Sequence, residues 1–298
     1  MGTPSYAVKI LESLINSHIE ISSVFTQPDR PAGRKMKPTR PPVKEFILSK
    51  DIKTEIFQPN TLKEEGVISA IKSQKPDFIV VAAYGLMLPK EILSTAPCIN
   101  LHASLLPKFR GASPIQQALL ENEKITGVTA MLMDEGLDSG DILGYEVLKI
   151  DPKERAPALY ERLANSAADL TPFVLENFDR IEPLKQNRVD ASYCKKIKKE
   201  DGLVSFEDSA EIFNRFRAFD PWPGVFLKSG LKLKELDLID ETSPNQKGAI
   251  LEIGSEWALI GCERGVLKIS RVQPPSKREM DTASYLRGRR LKVGDTLA

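Results

Sequence analysis

Two polar side chains in the segment 98–114 have the types and the spacing that acyl-transfer chemistry requires. Asn100 and His102 lie two residues apart at the end of a short apolar run, so on a strand their side chains share one face. An amide and an imidazole that converge on one point can donate hydrogen bonds to a developing oxyanion. An asparagine that caps a turn, with a histidine buried in the core, fits the same pattern. Spacing alone leaves both interpretations open.

A carboxylate that could assist this pair lies in the acidic segment 133–142. Asp134, Asp138 and Asp141 follow a predicted strand, which would bring them to the same sheet edge as Asn100 and His102. A carboxylate next to the imidazole would orient the ring. The spacing is not that of an EF-hand loop, and a solvated turn would look the same. We expect no metal site.

Three clusters of cations suit a polyanionic ligand. One lies in the Pro-rich segment 26–42, a second is a run of lysines near residue 197, and a third lies between residues 277 and 292. Such clusters often only solvate a surface, but on a chain of net charge +1 they also suit a nucleic acid such as tRNA, held through its phosphates. The residues of the first two clusters are Arg30, Arg34, Lys35, Lys37, Arg40, Lys195, Lys196, Lys198 and Lys199.

The elements that must position these residues alternate between helix and strand in the first half of the chain. Helices are predicted over 4–17, 42–50, 65–75, 114–123 and 156–181, and strands over 21–26, 78–83, 99–102 and 127–133. This alternation predicts an α/β, Rossmann-like domain with a mostly parallel sheet over residues 1–181. After a basic linker at 182–199, one helix at 210–219 and five short strands between 225 and 272 predict a small, OB-like β-barrel domain over 200–298.

Composition limits the class of protein further. The 298 residues suffice for two domains, and 41% hydrophobic content is ordinary for a globular protein. Three distant cysteines argue against a disulfide framework, and no apolar run reaches the roughly 18–20 residues that span a bilayer. We therefore expect a cytoplasmic protein without a membrane partner.

Taken together, the motifs resemble those of the 10-formyltetrahydrofolate-dependent formyltransferase family, over essentially the whole chain. The run from Asn100-Leu-His102 through Ser104-Leu-Leu-Pro107 to Arg110-Gly111 is similar to the family's folate motif. The run Asp134-Glu-Gly-Leu-Asp138-Ser-Gly140 is similar to its second active-site motif. The segments 26–34 and 217–224 resemble those of the members that act on methionyl-tRNA.

The resemblance implies that the α-amino group of initiator methionyl-tRNA attacks the formyl carbon of 10-formyltetrahydrofolate. Asn100 and a protonated His102 would stabilise the oxyanion, while Asp138 would pair with His102 and move a proton through water. It also implies that Arg34 and the cations near it contact the acceptor stem, that the lysines around residue 197 contact tRNA, and that the enzyme works without a metal. We expect a monomer. The implied folate contacts are Tyr84, Gly85, Leu86, Met87, Leu88, Ser104, Leu105, Leu106 and Pro107.

The amino-terminal sequence departs from the family pattern. Members usually carry a short apolar strand before Gly-Thr-Pro, whereas Gly2, Thr3 and Pro4 follow Met1 directly here. That strand is central in a doubly wound sheet, so we expect the natural start to lie upstream and Met1 to be internal. Mass spectrometry of the endogenous protein checks this expectation.

Two other functions fit parts of the pattern. A formyltransferase acting on another amine, such as a 4-amino-sugar nucleotide, would use the same Asn, His and Asp, but gives no reason for five cations in the segment 26–42. A tRNA-binding protein without catalysis would explain the cations, but has no need of Asn100, His102 and Asp138 together.

Overall fold

The computed structural model describes residues 1–32 and 37–297, which form two compact units. The first unit comprises residues 1–114, 124–150 and 159–195, and the second comprises residues 115–123, 151–158 and those from 196 onwards. None of the described helices is long and apolar enough to cross a bilayer.

Residues 1–195 contain six α-helices and ten strands among the described residues. The helices are α1 (Ser5–Asn16), α2 (Pro42–Ser49), α3 (Glu65–Ser73), α4 (Lys90–Leu93), α5 (Pro114–Leu120) and α6 (Ala156–Glu176). The strands are β1 (Ser23–Phe25), β2 (Arg30–Ala32), β3 (Lys37–Thr39), β4 (Glu55–Phe57), β5 (Ile79–Val81), β6 (Cys98–His102), β7 (Arg110–Gly111), β8 (Ile125–Leu132), β9 (Ile142–Lys149) and β10 (Tyr193–Cys194). The helices and strands that the sequence predicts here are present. The additions are α4, β2, β3, β4, β7, β9 and β10.

Parallel pairing dominates one side of the sheet in the first unit. Strand β1 pairs with β4 in parallel, and β5 pairs with β6 in parallel. Strand β8 pairs antiparallel with β6, and β9 pairs antiparallel with β8. The apolar side chains of α1 that face this sheet are spaced by about one helical turn, as in Ile10 and Leu14. The predicted α/β class with a mostly parallel sheet is confirmed.

Met1 and Gly2 lie between β1 and β5. The amide of Gly2 donates to the carbonyl of Phe25 (2.9 Å), and the amide of Ala82 donates to the carbonyl of Met1 (2.9 Å). A cavity of about 320 Å³ adjoins these two residues and is lined partly by Leu14 and Val24.

The helices and strands after residue 195 are α7 (Ser209–Ala218), β11 (Val225–Phe226), β12 (Lys232–Pro244), β13 (Ile250–Ile253), β14 (Ala258–Gly261), β15 (Arg264–Gln273), β16 (Met280–Asp281) and α8 (Thr282–Arg289). The strands form an antiparallel sheet with the order β11–β12–β15–β14–β13, and β16 pairs with β15. Every predicted strand of this region is present, and the predicted helix is α7. Helix α8 and strand β16 are additions.

One buried cation ties separate segments of the second unit together. Arg217 of α7 is only 2% exposed. Its Nη2 donates to Oδ1 of Asn122 (3.1 Å) and to Oδ1 of Asn214 (2.7 Å). Because an unpaired buried guanidinium is costly, residues 115–123 are part of what stabilises α7.

The three cysteines are free and buried, which predicts inert thiols. Burial raises the pKa of the Cys98 thiol to about 11 and that of the Cys262 thiol to about 12, and it also raises the pKa of Cys194. Since the thiolate is the reactive form, native protein at pH 8 should release almost no thionitrobenzoate from Ellman's reagent. Denatured protein should release three equivalents. One fast equivalent from native protein would contradict this burial.

Candidate active site

Strand β6 places Asn100 and His102 on one face, as the sequence predicts. The strand lies between β5 and β8, and all its residues are buried. Asn100 is 9% exposed and His102 is 6% exposed, so both side chains sit in a largely dry environment. In such surroundings a hydrogen bond to a charged group is stronger than in water.

Asp138 joins the two side chains. Its Oδ1 accepts a hydrogen bond from Nδ2 of Asn100 (3.3 Å), and its Oδ2 lies 3.8 Å from Nδ1 of His102. The amide of Gly111, on β7, also donates to Oδ2 (2.9 Å). The three residues proposed as the chemical centre therefore meet around one carboxylate.

The path by which Asp138 reaches this point differs from the expectation. Strand β8 runs antiparallel to β6, with Thr129 opposite His102 and Leu132 opposite Ile99. The carboxyl end of β8 therefore lies beside the beginning of β6, and the prediction that both strands end at one edge is wrong. Instead β8 and β9 form a hairpin, and their connection folds back to bring Asp138 to the site, with a left-handed backbone (φ 48°).

The tautomer of His102 follows from its neighbours. Nε2 lies 2.9 Å from the carbonyl oxygen of Phe109, which can only accept, so Nε2 carries a hydrogen. Nδ1 is then the ring nitrogen that faces Asp138. If His102 donates to a reacting oxygen, it must do so through Nδ1 of a doubly protonated ring.

Two other acids of the segment 133–142 make their contacts outside this cluster. Asp134 accepts hydrogen bonds from the amide of Gly136 and the hydroxyl of Ser139 (both 2.9 Å), so it closes its own turn. Glu135 pairs with Lys90 across 3.6 Å at the surface. Within residues 1–32 and 37–297, no cluster of three His, Cys, Asp or Glu side chains could hold a metal ion.

The run 104–107 packs closely beneath the site. The hydroxyl of Ser104 donates to the carbonyl of Lys108 (2.6 Å), and its own carbonyl accepts from Thr129 (2.6 Å). Leu106 is buried against Met131. Leu105 and Pro107 keep partly exposed surface, so they are the members of this run whose side chains can contact a ligand.

The run 84–88 alternates between core and surface. Tyr84 and Leu88 are buried in the core of the first unit, with Leu86 packed against it. Gly85 is exposed, and Met87 is 77% exposed. An exposed methionine supplies adaptable apolar surface of the kind that a flat aromatic ligand can cover.

The cations of the segment 26–42 are exposed where the structure describes them. Arg30 lies on β2 and Lys37 on β3, which form an antiparallel ribbon, and Arg40 follows it. Arg34 and Lys35 lie outside the described residues.

The lysine run occupies the passage from one unit to the other. Lys195 is the last residue of the first unit, and Lys196 begins the longest segment of the second. All four lysines are exposed, including Lys198 and Lys199 at the start of a short 3-10 turn.

In two contacts of the site a candidate catalytic side chain meets a backbone group that no sequence pattern marks. These groups are the carbonyl of Phe109, which fixes His102, and the amide of Gly111, which holds Asp138. Any residue type supplies such groups. In the sequence, only the position of Gly111 at the end of the folate motif pointed to one of them.

Comparison with known proteins identifies the family of the chain. Residues 1–175 match the family model described as formyl transferase, and residues 196–290 match that of the formyl transferase C-terminal domain. The chain belongs to the formyl transferase family. Among its relatives, a methionyl-tRNA formyltransferase of a Nitratiruptor species is 57% identical over 99% of this chain and 98% of its own length. The methionyl-tRNA formyltransferase of Campylobacter lari is 50% identical over 100% of this chain and 98% of its own.

A solved structure shares the fold. The N-formyltransferase of Helicobacter canadensis, crystallised with folinic acid and dTDP-3-aminofucose, superposes with a TM-score of 0.67 at 19% identity. The superposition covers 91% of this chain and 97% of that chain. At this identity the likeness concerns the fold alone.

Proposed function

We propose that the protein transfers the formyl group of 10-formyltetrahydrofolate to the α-amino group of initiator methionyl-tRNA, giving the N-formylmethionyl-tRNA used in translation initiation. The observation that carries the proposal is the convergence of Asn100, His102 and Asp138 around one carboxylate. Full-length relatives named methionyl-tRNA formyltransferase support the choice of acceptor.

The first step forms a bond between the amine nitrogen and the formyl carbon, and the carbonyl electron pair moves onto the oxygen. Asn100 uses one N–H for Asp138 and has a second for this oxygen. Nδ1 of His102 supplies the other donor when the ring is doubly protonated. Each such donor lowers the barrier by about 3 kcal/mol.

The second step breaks the bond from the formyl carbon to N10 of the folate. The attacking amine must lose a proton and N10 must gain one. Asp138 is placed to accept the former, and a water molecule carries it to N10. No covalent intermediate with the enzyme is needed.

For the folate, we propose contacts from residues 84–88 and 104–107. Gly85 and Met87 supply exposed surface. The hydroxyl of Ser104 already donates to the carbonyl of Lys108, so Ser104 contributes through the backbone of this run and not through its side chain. Leu105 and Pro107 offer the remaining side-chain surface of the second run.

For the tRNA, we propose that the exposed cations of the segment 26–42 and the lysine run bind phosphates. We assign catalysis to residues 1–181, a linker to 182–199 and tRNA binding to an OB-like barrel over 200–298. Register shifts along β12 support this barrel, because such irregularities let a strand coil. We further propose a cytoplasmic monomer.

The deciding experiment is transfer of radiolabelled formyl from 10-formyltetrahydrofolate with three acceptors. We expect product with methionyl-tRNA, and none with uncharged tRNA or a nucleotide-linked amino sugar. Transfer to the sugar alone would favour the other amine acceptor. Binding of tRNA without any transfer would leave the binding-only function.

Replacing Lys196 with alanine tests phosphate binding by the lysine run. Lys196 is exposed, so the fold should be unaffected. Loss of one phosphate contact should weaken binding of initiator tRNA several-fold and lower the slope of log K against log salt by about 1. Filter binding at salt concentrations of roughly 50 to 200 mM measures both. The exposed Lys63 is the control, and an unchanged slope in Lys196→Ala would contradict the contact.

A further inference from the structure

The side chain of Gln186 links a buried arginine to the segment that carries Asp138. Its Oε1 accepts from Nε (3.0 Å) and Nη2 (2.7 Å) of Arg110, which is only 4% exposed. Its Nε2 donates to the backbone carbonyls of Asp138 (3.0 Å) and Gly140 (2.7 Å). Gln186 lies in the segment 182–199 that the sequence predicts to be a linker, so this role was not expected.

These contacts require an amide. A guanidinium only donates and a carbonyl only accepts, so the amide oxygen must face Arg110 and the nitrogen must face the loop. Both lone pairs of the oxygen and both N–H groups are then used. A glutamate at this position would set a carboxylate oxygen against two carbonyl oxygens. The residue type is therefore explained by the contacts it makes.

The contacts also close a ring around Asp138. Gln186 holds the backbone of Asp138 to Arg110, and Gly111, the next residue after Arg110, donates its amide to the Asp138 carboxylate (2.9 Å). Two backbone hydrogen bonds between Leu184 and Ile142 (2.8 and 2.9 Å) fix the far end of the same loop. Residues 184–186 thus hold the second half of the connection between β8 and β9, from Asp138 to Ile142.

We propose that Gln186 is a positioning residue, which sets Asp138 at the distance from Asn100 and His102 that formyl transfer requires. The proposal rests on the proposed function and deepens it. Gln186 does not touch the carboxylate. It acts by fixing the carbonyls of residues 138 and 140 relative to Arg110.

Activity of the full-length protein gives the first test. Gln186→Ala and Gln186→Glu are expected to lower kcat by ~10–100-fold, the usual effect of losing an outer partner of an active-site group, with KM for both substrates within about twofold. Asn177→Ala is the matched control, since its amide also donates to a backbone carbonyl (Phe173, 2.9 Å) but at the end of α6, away from the site motifs along the chain.

A double-mutant comparison separates positioning from general support of the fold. If Gln186 acts through Asp138, then Gln186→Ala should cause almost no further loss in an Asp138→Asn background. An equal fold-loss in both backgrounds would overturn the proposal, as would parental kcat in Gln186→Ala.

Hydrogen exchange gives a readout that needs no substrate. Gln186→Ala should speed exchange in peptides covering 133–142, while Asn177→Ala leaves them unchanged. Unchanged exchange in Gln186→Ala overturns the proposal whether or not the parent protein transfers formyl groups. Absence of transfer by the parent protein would instead count against the proposed function.

Discussion

Asn100→Ala is expected to lower kcat by ~10²–10³-fold, because it removes one of the two side-chain donors aimed at the developing oxyanion. The same change removes the 3.3 Å hydrogen bond to Asp138. A donor that acts mainly in the transition state contributes little to ground-state binding, so KM for folate and for methionyl-tRNA should stay within a few-fold. Single-turnover formylation measures the chemical step directly.

Asn60→Ala provides the comparison, since Asn60 is exposed and lies in a bend far along the chain from the site motifs. It should retain the parental kcat. A rise in KM at constant kcat for Asn100→Ala would assign Asn100 to substrate binding and remove it from the oxyanion role.

Gly140→Ala should damage both stability and activity. A Cβ at Gly140 would overlap the carbonyl oxygen of Leu132 on the neighbouring strand, so the backbone of the β8–β9 hairpin must move. Overpacking of this kind costs about 1–3 kcal/mol. Because Asp138 lies two residues away, a displacement of about 1 Å should also lower kcat by ~10²-fold. Urea unfolding and single-turnover kinetics measure the two effects.

Gly288→Ala is the matched control for this change. No atom lies within 4 Å of a Cβ at Gly288, and the residue is inside helix α8. Alanine there should stabilise the protein by about 0.5–1 kcal/mol and leave kcat unchanged. If Gly140→Ala behaves in the same way, the hairpin tolerates the methyl group, and the contact with Leu132 does not constrain the loop.

The shared face of Asn100 and His102 was predictable because it depends only on the two-residue period of a strand. The direction of β8 was not. It depends on which edge of the sheet the connection between β6 and β8, which contains α5, brings the chain back to, and no local pattern specifies that edge. Once β9 pairs with β8, the connection between them must be a short loop, and that loop carries Asp138.

Sequence reasoning also missed the groups that hold the site together. The carbonyl of Phe109 and the amide of Gly111 belong to the backbone, and Gln186 is far from Asp138 along the chain. Helix α8 was missed for a different reason, since few apolar residues mark its buried side. Local patterns identify elements, whereas these contacts exist only after the chain has folded.

The second unit is made of separate segments of the chain, which matters when a fragment of the protein is expressed. A gene fragment that begins at Lys196 encodes only part of that unit, because residues 115–123 and 151–158 belong to it as well. Such a fragment lacks Asn122, the partner of the buried Arg217, and Lys153, which pairs with Asp237 (2.8 Å). The family match over residues 1–175 contains these two segments of the second unit, so neither matched region alone encodes that unit.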